Sequence, residues 1–241
     1  MSTDATDTVL LEIDGPIATV TFNRPDRLNA WSWEMGMALT ERMEAIAANR
    51  EVRAVVLCGS GRSFCAGIDL KPDVRDRIVG RSPAEKVLNY YHRYRGSHRR
   101  TQGIEAIPQP IVVAIHGHCL GAGFEIAMLG DIRLAAEGTV FGCPEVKIGV
   151  AIDCGLDLRL AQEVGPSWAK WMALTARRFD ATLAHRLGLV RRCIRPTRSS
   201  RRRTSSPPRS PGTHPSPSRR RSGPSISSPT AVSTRRCGSR R

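Results

Sequence analysis

The sequence predicts an α/β domain followed by a disordered tail, and three observations carry that expectation. Short β-branched runs alternate with segments of helical period up to about residue 190, the pattern of βα-type units. The charge divides sharply. Residues 1–190 hold 22 Lys and Arg against 22 Asp and Glu, whereas residues 191–241 hold 15 Arg, no Lys and no acid. The tail therefore carries the whole formal charge of +15, and the high isoelectric point is no ground for nucleic-acid binding by the body. The third observation is the tail's composition: 15 Arg, 13 Ser and 8 Pro, with no aromatic residue. Such a segment cannot bury enough apolar surface to offset its ordering entropy.

In chain order, TVLLEI at 8–13 and IATVTFN at 17–23 are β-rich runs separated by Asp14-Gly15-Pro16, a hairpin signal. Asn23-Arg24-Pro25-Asp26 ends the second run. Ser32 is placed to cap a helix beginning near Trp33, with Met35, Leu39, Met43 and Ile46 as its apolar stripe. RAVVLC at 53–58 reads as a short buried strand, stopped by Gly59-Ser60-Gly61 and followed by a loop, SFCAGIDL, at 63–70. Residues 72–103 are polar and basic, and Tyr90, Tyr91 and Tyr94 suggest a helix lying over the body. IVVAI at 111–115 is a second buried strand, and His116-Gly117-His118 turns it into CLGAGFEIAM at 119–128. A helix is expected from about 122 to 129, then a third short strand, DIRLAA, at 131–136. Pro166-Ser167-Trp168 opens another helix, and Asp180 caps the next, which ends before Gly188.

Seven cysteines stand at 58, 65, 119, 143, 154, 193 and 237. The odd number and the lack of any Cys-x-x-Cys argue against a disulfide framework or a thiolate zinc site and fit a reducing cytosol. The acidic N-terminus lacks the apolar core of a signal peptide, and no apolar run reaches membrane-spanning length. A cytoplasmic location without membrane contact is the expectation.

The glycine-rich stretch 119–128 invites three familiar motifs and fits none. The dinucleotide pattern needs a glycine three residues after Gly123, where Ile126 stands; no Gly-Lys-Ser/Thr occurs for a P-loop; Gly-x-Ser-x-Gly is missing. His116 and His118 have no third metal ligand at recognisable spacing, so a strand-end pair is the better reading and no metal is expected. What remains is a strand, a sharp turn and a helix start. The first amides of a helix have no intrahelical partner, and they favour developing negative charge. Such a turn stabilises an oxyanion, each preorganised donor being worth about 3 kcal/mol. The loop at 64–68 can present a second amide. Glu125, one turn into the helix, and Glu145, in Phe141-Gly142-Cys143-Pro144-Glu145, are acids in apolar settings near both turns.

IATVTFNRPDRLNAWS (17–32), SFCAGIDL (63–70), PIVVAIHGHCLGAGFEIAMLGDIRLAAEGTVFGCPEVKIGV (110–150) and ALTARRFDATLAHRLGLV (173–190) together resemble the enoyl-CoA hydratase/isomerase, or crotonase, family. The resemblance covers roughly residues 8–192. It implies a crotonase-like spiral of ββα units with CoA bent across it, and a role in fatty-acid β-oxidation. It places the oxyanion-hole amides on Ile68 and Ala122 and the catalytic pair on Glu125 and Glu145, twenty residues apart as in hydratases. It further implies that Arg27 and Lys71 approach the CoA nucleotide, that the Ala66 carbonyl reads adenine, and that Leu28 and Asp69 also line the CoA-binding site. Coenzyme A is then part of the substrate, and no separate cofactor is implied. The expected reaction adds water across the 2,3 double bond of a trans-2-enoyl-CoA thioester. Asp153, eight residues after Glu145, stands where dienoyl-CoA isomerases of the family carry an aspartate; those isomerases have aspartate at the position of Glu125, so that match is partial. A helix cap is the plain alternative for Asp153.

The resemblance stops near 192, giving a body at 1–192 and a tail at 193–241. The family continues there into amphipathic helices that cover the acyl site and build a trimer or hexamer. Their replacement by the tail counts against that assembly here and keeps open a catalytically impaired acyl-CoA-binding remnant. The tail is read as an Arg/Ser segment binding nucleic acid non-specifically through phosphates, as an inert linker, or as the product of a shifted coding frame near residue 192. The absence of Lys and of acids favours the shifted frame.

Overall fold

A computed structural model describes residues 7–70 and 80–195. The tail expectation falls on residues outside this range from 196 onward, as does Lys71. Strand β1 (Val9–Asp14) pairs antiparallel with β2 (Ile17–Phe22), and Asp14 faces Ile17 across the two-residue turn anticipated from Gly15-Pro16. The chain then passes a 3-10 turn, Pro25–Arg27, and enters α1 (Trp33–Ala48). Ser32 caps α1 by accepting from the Met35 N–H at 3.2 Å. Met35, Leu39, Met43 and Ile46 are all buried, as the period of 3.6 requires. Burying each such side chain contributes about 1.5–3 kcal/mol.

The remaining elements are β3 (Ala54–Gly59), α2 (Pro83–Glu105), β4 (Ile111–Ile115), β5 (His118–Leu120), α3 (Ala122–Ala127), β6 (Ile132–Ala136), β7 (Val140–Gly142), a 3-10 turn at Glu145–Ile148, α4 (Leu156–Thr175), β8 (Phe179–Asp180), α5 (Ala181–Arg186) and β9 (Arg192–Ile194). Within α4 the backbone breaks at Gly165 (φ 80°), so Pro166 does open a helical segment. Asp180 caps α5 through the Leu183 N–H at 2.8 Å. The helix expected to run to 129 ends at Ala127, and the third strand begins at Ile132, one residue late.

Two sheets organise these elements. The larger has the order β1-β2-β3-β4-β6-β9, parallel from β2 onward; the smaller has the order β5-β7-β8. Each of two successive turns of chain lays one strand in the large sheet (β4, then β6) and one in the small sheet (β5, then β7). An isolated parallel β-bridge, formed by the backbones of Cys65 and Cys119 (both free thiols), extends the small sheet into the loop after β3. Strand β9 continues the large sheet to Ile194, past the composition boundary at 192. Four short strands, β5, β7, β8 and β9, had no sequence expectation, because two or three residues cannot display a period. Phe124, Phe141 and Phe179 meet with ring centroids 5.6–6.1 Å apart and pin α3 against the paired strands β7 and β8. Six-residue α3 could not persist alone; this aromatic contact and the burial of Ile126 and Ala127 hold it.

Candidate active site

The loop 63–70 is held from two sides. The Cys65 N–H donates to the His118 carbonyl (2.9 Å) and the Leu120 N–H to the Cys65 carbonyl (3.1 Å). From the other side the Ala66 N–H donates to the Leu28 carbonyl (3.0 Å), the Trp31 N–H to the Gly67 carbonyl (2.7 Å) and the Asp69 N–H to the Trp31 carbonyl (2.9 Å). In this parallel pairing the groups of Gly67 and Asp69 face Trp31, which turns the Ile68 N–H to the opposite side. That amide has no hydrogen-bond partner among the described residues.

Opposite this loop, the Gly121 N–H donates to the Gly142 carbonyl at 3.0 Å, and the Phe124 and Glu125 N–H groups close onto the Gly121 carbonyl at 2.7 and 2.9 Å. Gly121 has φ 50° and ψ −123°, a conformation that a side chain strongly disfavours. Gly123 lies against Cys65: a Cβ there would come within 2.6 Å of the Cys65 carbonyl oxygen. The two glycines thus serve a tight turn and a close approach of backbones. The Ala122 N–H, at the first helical position, also has no partner among the described residues. A Cβ on Gly67 would lie 3.1 Å from the Leu120 carbonyl oxygen and 4.0 Å from the Gly121 Cα. The loops bearing Ile68 and Ala122 are therefore in contact.

Glu125 and Glu145 flank this contact. Glu125 is buried, and its carboxyl is pushed up to about 10, first by burial and then by its hydrogen bond with and the charge of Asp153, with Glu145 adding a smaller repulsion. Glu145 is half-buried and also raised, mainly by burial. Its Oε1 stands 2.7 Å from where a Gly121 Cβ would be, and its buried Oε2 has no hydrogen-bond partner among the described residues. Asp153 donates its N–H to Glu125 Oε1 at 3.4 Å. Ile68, Val146, Ile148 and Val150 are exposed along these two loops and give the site an apolar rim.

The other sequence-derived residues fall at one edge. Arg27 is exposed in the 3-10 turn, adjacent to Leu28, whose carbonyl receives the Ala66 N–H. Asp69 forms an ion pair with Arg24 at 2.8 Å, and Arg24 also reaches the Ala30 carbonyl. His116 hydrogen-bonds the Gly61 carbonyl at 3.1 Å and His118 the Ser63 hydroxyl at 2.8 Å, so both fasten the loop before 63. Sequence reasoning missed Asn29. Fully buried with φ 54°, it accepts from the Arg24 N–H (2.7 Å) and donates to the carbonyls of Ser60 (2.9 Å) and Ser63 (2.7 Å). The available signal was an Asn in a polar turn, a residue that tolerates left-handed backbone. It also missed His98, on α2, which lies 3.4 Å from Asp153.

Comparison with known proteins bears on this geometry. The family model described as enoyl-CoA hydratase/isomerase matches residues 12–199. The chain is 34% identical over 192 residues to a probable enoyl-CoA hydratase of Rhizobium meliloti, covering 80% of this chain and 70% of that one. It is 32% identical over 180 residues to a peroxisomal Delta(3,5)-Delta(2,4)-dienoyl-CoA isomerase of Arabidopsis thaliana, covering 73% and 65%. An enoyl-CoA hydratase subunit from Geobacillus kaustophilus superposes with a TM-score of 0.70 at 30% identity, over 80% of this chain and 71% of that structure.

Proposed function

As the chain belongs to the enoyl-CoA hydratase/isomerase family and has its crotonase-like α/β fold, we propose that it hydrates a trans-2-enoyl-CoA thioester. The observation that carries this reading is that two amides without partners among the described residues, Ile68 and Ala122, lie on loops in contact, with Glu125 and Glu145 beside them. In this mechanism both amides donate to the thioester oxygen, and each such donor contributes about 3 kcal/mol as the enolate forms. Water is held between the two acids. Its oxygen bonds to C3, one of its protons passes to the ionised carboxylate, and the protonated carboxyl delivers a proton to C2. A proton passing back between the acids resets them. The raised values of Glu125 and Glu145 support a pair that holds one proton near neutrality. Leu28, Ala66 and Arg27 form the edge at which the CoA moiety would lie, and the apolar rim receives the acyl chain. Glu125→Gln and Glu145→Gln are each expected to lower kcat on a short enoyl-CoA by at least about 10²-fold; wild-type hydration by either variant would sink the mechanism.

A second reading, isomerisation of a dienoyl-CoA, is favoured by one observation: Asp153, and not only Glu145, lies against Glu125. In that case the acids move a proton along the diene and no water is taken up. Incubation with dienoyl-CoA in ¹⁸O-labelled water separates the two, since hydration incorporates label and isomerisation does not. Binding of acyl-CoA without either reaction would identify a catalytically impaired remnant, and light scattering on the same sample reads whether the chain assembles as a trimer.

A further inference from the structure

Beyond the acid pair, α2 brings a second chemical group to the site. His98 projects from α2 to Asp153, and Asp153 is followed directly by Cys154. A ring nitrogen of His98, a carboxylate oxygen of Asp153 and the Sγ of Cys154 all lie within 4.8 Å of one another. We propose that His98, Asp153 and Cys154 form a binding site for a zinc-class divalent cation, placed directly against Glu125.

The distances are compatible with a tetrahedral ion. With metal–nitrogen and metal–oxygen bonds of about 2.1 Å, the edge between two ligands of a tetrahedron is about 3.4 Å. His98 Nε2 and Asp153 Oδ2 already stand 3.4 Å apart. A thiolate at about 2.3 Å needs edges of about 3.5 Å, so Cys154 has at most about 1.3 Å to close from the 4.8 Å limit, a side-chain adjustment. The donor set is mixed nitrogen, oxygen and sulfur, which suits zinc or cobalt and not the all-oxygen preference of magnesium or calcium. Three protein ligands leave a fourth position for water or a carboxylate.

Burial, and then the Glu125 and Asp153 charges, push the Cys154 thiol up to about 12, so an ion must displace its proton to bind. His98 and Asp153 are partly buried, with side-chain exposures of 34% and 24%, so an ion can enter from solvent and then lose much of its hydration. Cys154 and Gly155 are consecutive left-handed residues (φ 51° and 78°), making the sharp turn into α4. A cysteine accepts this conformation only at a cost, and such strain clusters at ligand clamps. The Asp153 backbone N–H donates to Glu125 Oε1 at 3.4 Å, which sets the cluster beside that acid.

A second consequence rests on the proposed hydration. An ion beside Glu125 draws that carboxylate toward itself and away from the water it must share with Glu145, so bound zinc inhibits turnover. The binding claim itself is independent of any activity. The test is titration of the full, chelator-stripped, reduced chain with cobalt(II), read by near-ultraviolet thiolate-to-cobalt charge transfer and by the visible bands of tetrahedral cobalt, with stoichiometry from competition against a chromogenic chelator. One ion per chain is expected, with the charge-transfer band lost in Cys154→Ser and affinity at least tenfold weaker in His98→Gln. Failure of both spectra to appear, or a band that survives in Cys154→Ser, overturns the site. Circular dichroism matching wild type confirms that each variant is folded. Tight cobalt binding by a chain that hydrates nothing even after the metal is stripped with EDTA would refute the hydratase reading while leaving the metal site standing.

Discussion

Gly121→Ala isolates the turn on which the candidate site depends. The new Cβ would sit 2.7 Å from Glu145 Oε1, 3.6 Å from its Cδ and 3.7 Å from the Gly67 Cα. An ordinary carbon–oxygen contact is about 3.3 Å, so the carboxylate must retreat by roughly 0.6 Å, more than the ~0.5 Å tolerance of a catalytic group. The left-handed backbone adds strain of about 1–3 kcal/mol. We expect a stability loss of about 2–3 kcal/mol and a fall in kcat of about 10²-fold, since displacements of this size disrupt reacting geometry. Urea denaturation and initial rates on a short enoyl-CoA measure the two. Gly138→Ala is the control: φ there is 82°, yet nothing lies within 4 Å of its Cβ. It carries backbone strain without the contact and should leave kcat unchanged. Glu145→Asp in the Gly121→Ala background makes room, so the two stability costs should be less than additive. A Gly121→Ala chain with wild-type kcat, or one no different from Gly138→Ala, would refute the claim that this turn positions Glu145.

The other predictions concern burial and anchoring. Glu125 binds a proton in the folded chain well above the ordinary 4.5 at which the unfolded chain releases it, so its stabilising contribution is full below 4.5 and declines as pH rises toward about 10. Glu125→Gln removes that penalty; with EDTA present, the variant should gain about 3 kcal/mol relative to wild type between about pH 5 and pH 7.5. Equal pH slopes in the two proteins would contradict the buried, protonated Glu125. Asn29→Ala leaves the Arg24 N–H and two loop carbonyls without their partner and should cost about 2–4 kcal/mol by urea unfolding; a cost below about 0.5 kcal/mol would contradict its role as the loop's anchor. Arg24→Lys cannot hold both the Ala30 carbonyl and Asp69 with one planar fork, so KM for enoyl-CoA should rise severalfold with little change in kcat. An unchanged KM would show that the Arg24–Asp69 pair does not shape the CoA edge.

The elements legible in the sequence are those whose signal is local. The β1–β2 hairpin, the Ser32 cap and buried stripe of α1, the β4 run and the Asp180 cap each follow from a period, a turn or a capping side chain within a few residues. The acids and the two glycine turns were legible as ordered motifs, since the backbone conformation of Gly121 and the close approach at Gly123 demand glycine whatever lies farther off. Tertiary structure alone decided what those motifs meet. The β5, β7 and β8 strands form only because Gly117–Leu120 finds 139–142 and the loop after β3 beside it, and Phe179–Asp180 finds 140–141, pairings that no short segment encodes. Asp153 against Glu125, His98 against Asp153 and Asn29 beneath the loop at 60–63 join residues 28 to 55 positions apart, or reach across separate loops. The physical reason is that a hydrogen bond or a buried charge is decided by what surrounds it in space. Sequence fixes which groups exist and where the chain turns, whereas folding determines which of them share one dry site.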